Sequence, residues 1–193
     1  MSKRPSHDDI REKTLRAARA VVDESGHTAL NARNLAAAAE CSVGTLYNVF
    51  GDLDGVIYAL NLHTAQALRQ TLTDALAGAG KEPYIRLLAL ADAYFDFAQA
   101  HPRRWEALFR FRAKGAVDGT VGREGDALFA LLKDSVGGTV PDDALLALWA
   151  AVHGVVELAT QQHLIHYASG SERRYLRLIL DAAMKGFAAE KSP

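Results

Sequence analysis

The chain has 193 residues, 49% of them hydrophobic, a single cysteine and a formal net charge of −1. That much apolar material excludes wholesale disorder. The lone Cys41 rules out an internal disulfide and, with the polar opening MSKRPSHDDIREK lacking a secretory pattern, makes a reducing cytoplasm the expected compartment. A nearly neutral chain is no general polyanion binder, and no uninterrupted apolar run reaches the roughly 18–20 residues expected of a bilayer span.

Helical periodicity runs from end to end and strand signals are nearly absent, which predicts an all-α fold. From about Asp8 to Ser25, Ile10, Thr14, Ala18 and Val22 share a face, and Gly26 supplies a C-terminal stop. Asn31 caps a short helix over about Ala32–Ala39, and Glu40-Cys41 is a tight turn. Ser42 then caps SVGTLYNVF, where Leu46 and Phe50 lie four apart. Asp52 caps a long helix from Leu53 to Ala77, roughly 37 Å at 1.5 Å per residue. Further helices are expected over Pro83–Ala100, Pro102–Arg112, Arg123–Ser135, Pro141–His166 and, capped by Ser171, up to Ala189, with a glycine-rich loop over Lys114–Gly122. The domain boundary falls near Gly51: residues 1–52 form a three-helix unit and residues 53–193 a helical bundle.

SVGTLYNVF contains poor helix formers, Gly44, Thr45 and Val49, so tertiary packing must hold it. Two short helices joined by about three residues, the second with polar residues on its free face, describe a helix-turn-helix. Small residues at Gly44 and Thr45 let a backbone approach DNA, while Tyr47 and Asn48 lie beside the apolar face and can reach phosphates or base edges.

Residues 8–55 resemble the DNA-binding domain of the tetracycline-repressor (TetR) family. The resemblance rests on Ala18, Gly26, Leu30, Arg33, Leu35, Ala36, Ser42, Gly44, Thr45, Leu46, Tyr47 and Phe50 in the family spacing. Leu145–Gly154, LLALWAAVHG, resembles the Trp-His-Gly motif of one TetR regulatory-domain subgroup. The resemblance implies an all-α homodimer on a palindromic operator of double-stranded DNA, with the last two helices pairing across the dimer and a ligand cavity in the C-terminal part. Carried over by position, the DNA-binding set is Arg33, Ser42, Val43, Gly44, Thr45, Tyr47 and Asn48, with the Tyr47 hydroxyl on a phosphate. Three positions depart from the family pattern. Glu40 stands where the turn usually has glycine, which implies a looser turn or a left-handed glutamate. Leu53 replaces a usual lysine, and Val49 a frequent histidine. From Met1 to Leu53 seven Lys or Arg meet seven Asp or Glu, so sequence-independent attraction to DNA is expected to be modest.

Candidate effector-binding residues are Tyr94, Phe97, Trp105, Phe109, Trp149 and His153, which carry few charges and suit a small, largely apolar ligand. The competing reading for each is plain core. His153 and Glu157, four apart, are spaced to form a buried polar pair, which would recognise a ligand's polar end in a cavity or be a satisfied pair in a core. His101, His153, His163 and His166 lack a completing cysteine or carboxylate, so no metal site and no cofactor are expected. The apolar stripes Leu145, Leu148, Val152, Val155, Ala159 and Leu176, Ile179, Ala183, Phe187 are the expected dimer faces. No phosphate loop, HExxH or nucleophile–base constellation argues for an enzyme. The leading reading is a ligand-responsive repressor. The alternative is a DNA-binding regulator without a small-molecule ligand, controlled by a protein partner or by abundance; ligand-dependent operator release separates the two.

Overall fold

Polar side chains at the helix boundaries set where the helices begin. Ser6 Oγ accepts from Asp9 N and the Asp9 carboxylate accepts from Ser6 N, a capping box that opens the first helix slightly before the expected start. Asn31 and Ser42 cap their helices as expected, and Asp52 Oδ1 accepts from Gly55 N at 2.8 Å. The computed structural model describes residues 6–112, 119–138, 140–161 and 171–189. The helices are α1 (His7–Ser25), α2 (Ala32–Ala38), α3 (Val43–Phe50), α4 (Leu53–Gly78), α5 (Pro83–Ala100), α6 (Pro102–Arg110), α7 (Thr120–Ser135), α8 (Asp142–Thr160) and α9 (Glu172–Ala189), with a 3-10 turn at His27–Ala29. The described residues contain no strand, and the fold is all-α. Gly122 falls inside α7 rather than in a loop, and α8 ends at Thr160 with Gln161 at its C-cap, short of His166. Residues 162–170 lie outside the described residues.

Two compact units form. The first comprises Met1–Ala67 and His101–Glu124, the second Leu68–Ala100 and Gly125–Pro193. The division therefore differs from the sequence boundary at 52/53. The first part of α4, and all of α6, belong to the first unit. The reason is packing: Ala107 of α6 is buried in one cluster with Leu15, Val22, Leu35, Leu46 and Leu60, and Phe111 packs against it. Polar contacts reinforce this. Asn61 Nδ2 donates to Ala107 O at 2.9 Å, Val121 N donates to the Tyr58 hydroxyl at 3.1 Å, and Arg104 Nε donates to Asp23 Oδ1 at 2.7 Å.

In the second unit α5, α8 and α9 pack on one another through Leu87, Leu145, Val156, Leu176 and Leu180, all nearly fully buried. Arg173 of α9 pairs with Asp92 and Asp96 of α5, and Arg86 of α5 with Asp134 of α7. Two sequence expectations change here. By length and composition α8 is apolar enough to cross a bilayer, although His153 and Glu157 interrupt its apolar run. Leu145, Leu148, Val152 and Val156 nevertheless turn inward within this unit, on one face of a helix whose other side stays largely exposed. Leu145, Leu148, Val152 and Leu176, expected at the dimer face, are thus spent on the chain's own core. The leucines left exposed are Leu146, Leu158 and Leu178.

Candidate nucleic-acid interface and effector site

The turn between α2 and α3 is built on backbone hydrogen bonds. Cys41 N donates to Ala36 O at 2.9 Å and Glu40 N to Ala37 O at 3.0 Å, the paired bonds of a Schellman motif. The residue after the C-cap in such a motif adopts the left-handed conformation, and Glu40 does so with φ of 54°. A non-glycine residue there costs about 1–2 kcal/mol. Lys13 Nζ of α1 lies 2.6 Å from Glu40 Oε2, with side chains 34% and 72% exposed. An ion pair that open to solvent returns only about 0.2–1 kcal/mol. The turn is thus closed, not loosened, and the glutamate is strained.

Ser42 begins α3 by accepting from Thr45 N at 3.0 Å, and the two hydroxyls lie 2.8 Å apart. Leu46 is fully buried, and Phe50 packs beside it. Arg11 of α1 sits 4.9 Å over the Phe50 ring and donates to Val49 O at 3.3 Å, a cation at the negative end of α3. The start of α4 presses close: a Cβ on Gly55 would lie 1.9 Å from Phe50 O.

With α3 held on this side, Gly44 and Asn48 are exposed on the other and Tyr47 on its flank, with Ser42 at its N-cap and Arg33 on the first turn of α2. Val43 and Thr45 are only half-exposed: Val43 packs against the core, and Thr45 is engaged by Ser42. Sequence reasoning missed Lys13 and Arg11, whose partners are distant in the chain, and Gly55, whose role depends on the approach of α4 to α3.

The six candidate effector residues divide between the units. Trp105 and Phe109 form a tilted pair with centroids 4.6 Å apart in the first unit. Tyr94, Phe97, Trp149 and His153 belong to the second. There the Tyr94 hydroxyl lies 2.9 Å from His153 Nδ1, and the Trp149 indole stacks on the imidazole at 5.1 Å and 20°. Burial pushes the Tyr94 hydroxyl pKa well up, a hydrogen bond from Trp149 opposes this, and the Glu157 charge adds to it. Burial pushes His153 below its ordinary value, against the Glu157 carboxylate one turn along. One proton arrangement satisfies all three: the indole N–H donates to the Tyr94 oxygen, the Tyr94 O–H donates to Nδ1, and Nε2 of a neutral His153 carries the ring proton. Gln161 Nε2 holds the Glu157 carboxylate. Phe97 is buried on α5. Of the histidines weighed as metal ligands, His163 and His166 lie outside the described residues; His101 Nδ1 is 2.6 Å from an Arg104 nitrogen.

The family model described as "Tetracyclin repressor-like, C-terminal domain" matches residues 87–183, half of the chain. The chain belongs to the TetR family. A curated relative, the HTH-type transcriptional regulator BetI of Stenotrophomonas maltophilia (strain R551-3), is 32% identical over 89 residues, 46% of this chain and 45% of the relative. The chain thus matches less than half the length of such relatives. Among solved structures, a protein with unknown function from Rhodococcus sp. RHA1 superposes with a TM-score of 0.76 at 23% identity, covering 95% of each chain. A TetR-family transcriptional regulator from Streptomyces coelicolor does so with 0.70 at 20% identity, covering 94% of this chain and 98% of that one; both are likenesses of fold. The family model covers the C-terminal half, and the regulator role printed for the curated relative is that protein's own.

Proposed function

We propose that this TetR-family regulator is a cytoplasmic repressor that binds a palindromic operator as a homodimer and is released by a small, largely apolar effector. The observation that carries the DNA-reading role is α3 itself: Leu46 fully buried, with Gly44 and Asn48 exposed on the opposite side and Tyr47 exposed on its flank. A helix so held can enter a major groove, with Tyr47 on phosphate and Asn48 on a base edge. The exposed leucines Leu146, Leu158 and Leu178 support a second copy covering α8 and α9. The Tyr94–His153–Trp149 cluster supports effector recognition in the second unit, offering aromatic faces and few polar groups. Such an effector must prefer the conformation that fits the operator poorly; equal affinity for both would change nothing.

The test is selection of duplexes from a randomised pool by the purified chain. An inverted repeat with half-sites roughly 34–36 Å apart, bound by two chains, is the expected result. A single half-site bound by one chain defeats the dimeric reading.

A further inference from the structure

The strain at Glu40 has no return in stability that accounts for it. The exposed pair with Lys13 is worth less than the left-handed conformation costs, and glycine would close the same turn without either. Backbone strain kept at a functional site points to a function of the side chain. The place is telling. Glu40 lies two residues before Ser42, the N-cap of the DNA-reading helix, and its carboxylate is mostly exposed. It also engages Lys13, one of the seven cations among the first 53 residues. A lysine on the DNA-binding unit would otherwise be available to a phosphate, and phosphate neutralisation supplies essentially all sequence-independent affinity.

We propose that Glu40 limits sequence-independent DNA binding: its carboxylate holds Lys13 away from phosphate and adds a repelling charge beside the start of α3. DNA must then be bound through the sequence-reading contacts of α3 rather than by charge alone. This rests on α3 being the DNA-reading helix, and it concerns a residue outside the contacts expected to read DNA.

The experiment uses the full chain and a fluorescein-labelled duplex of random sequence, with anisotropy read across a salt series. Glu40→Gln keeps the size of the side chain and removes its charge. Glu40→Gly removes charge and strain together, so a folding defect in the first variant does not leave the question open. Both are expected to bind the random duplex several-fold more tightly than wild type at low salt, with a slope of log K against log salt steeper by about 0.9, the value for one further phosphate. Lys13→Met in the Glu40→Gln background should abolish that added slope. If both Glu40 variants bind with the wild-type affinity and slope, or if the added slope survives loss of Lys13, the proposal is wrong. Wild type failing to bind any duplex, the selected operator included, would instead defeat the DNA-reading assignment of α3.

Discussion

Two neighbouring residues in α3 have opposite surroundings. Tyr47 is exposed and Leu46 has no exposure at all. Tyr47→Phe should leave the melting temperature unchanged and weaken operator binding, since a hydrogen bond to a charged group contributes about 1.5–3 kcal/mol. Leu46→Ala should instead destabilise the first unit by about 2–5 kcal/mol. Normal operator affinity for a well-folded Tyr47→Phe variant would remove the phosphate contact. Two glycines make a second contrast. At Gly55 a Cβ would meet backbone, the Phe50 carbonyl oxygen at 1.9 Å, whereas at Gly44 its nearest neighbour is Ser42 Oγ at 3.8 Å. Gly55→Ala should therefore lower the urea midpoint, with an overpacking cost of about 1–3 kcal/mol. Gly44→Ala should be neutral or stabilising by up to about 1 kcal/mol, yet weaken operator binding because the added methyl stands on the exposed side. Full operator affinity in Gly44→Ala would argue against close approach of that backbone to DNA.

At the scale of the element, α8 and α9 show how one helix serves two surfaces. Leu145, Leu148 and Val152 of α8 turn into the second unit, while Leu146 and Leu158 stay in solvent; on α9 Leu176 is buried and Leu178 is half exposed. Charges placed on the outer side, Leu146→Arg with Leu178→Arg, should yield soluble monomers in analytical ultracentrifugation with little change in helicity. Leu145→Ala should cost about 2–5 kcal/mol of stability instead. A double arginine variant that remains a dimer would place the interface elsewhere.

The whole molecule has a stability that depends on pH with a predictable sign. His153 is pushed below 6.5 by burial, with Glu157 opposing, and His63 is pushed down by burial and then by Arg19 and Arg11. Above pH 6.5 both the folded and the unfolded chain carry these rings neutral. As pH falls, the unfolded chain takes up protons first, so the stability held by neutral rings is present above 6.5 and is lost as pH falls through the lower folded values. Thermal melts from pH 7.5 to 5 should show a declining melting temperature. The decline should be shallower in His153→Gln, which cannot be protonated. An identical pH profile in the variant would mean that His153 is not held neutral by its surroundings.

Much of the first unit was legible in the sequence because its signals are local. Caps at Asn31, Ser42 and Asp52, the spacing of Leu35, Leu46 and Phe50, and the stop at Gly26 each depend on neighbours within a turn or two of chain. The all-α class and the family resemblance follow from the same short-range pattern. What the sequence left open required partners brought together from a distance. Periodicity put Leu145, Leu148 and Val152 of α8 on one stripe apart from Leu146, but whether that stripe faced a second copy or the chain's own core was decided only by the packing of α5 and α9 against it. The grouping of α6 with the first unit depends on Ala107 meeting α1 and α4, contacts spanning some 50 to 90 residues of chain. The splitting of the six candidate aromatics between two units has the same origin. Glu40 combines both kinds of information: its position in the turn is local, while its left-handed conformation and its hold on Lys13 needed the closed turn and α1 beside it.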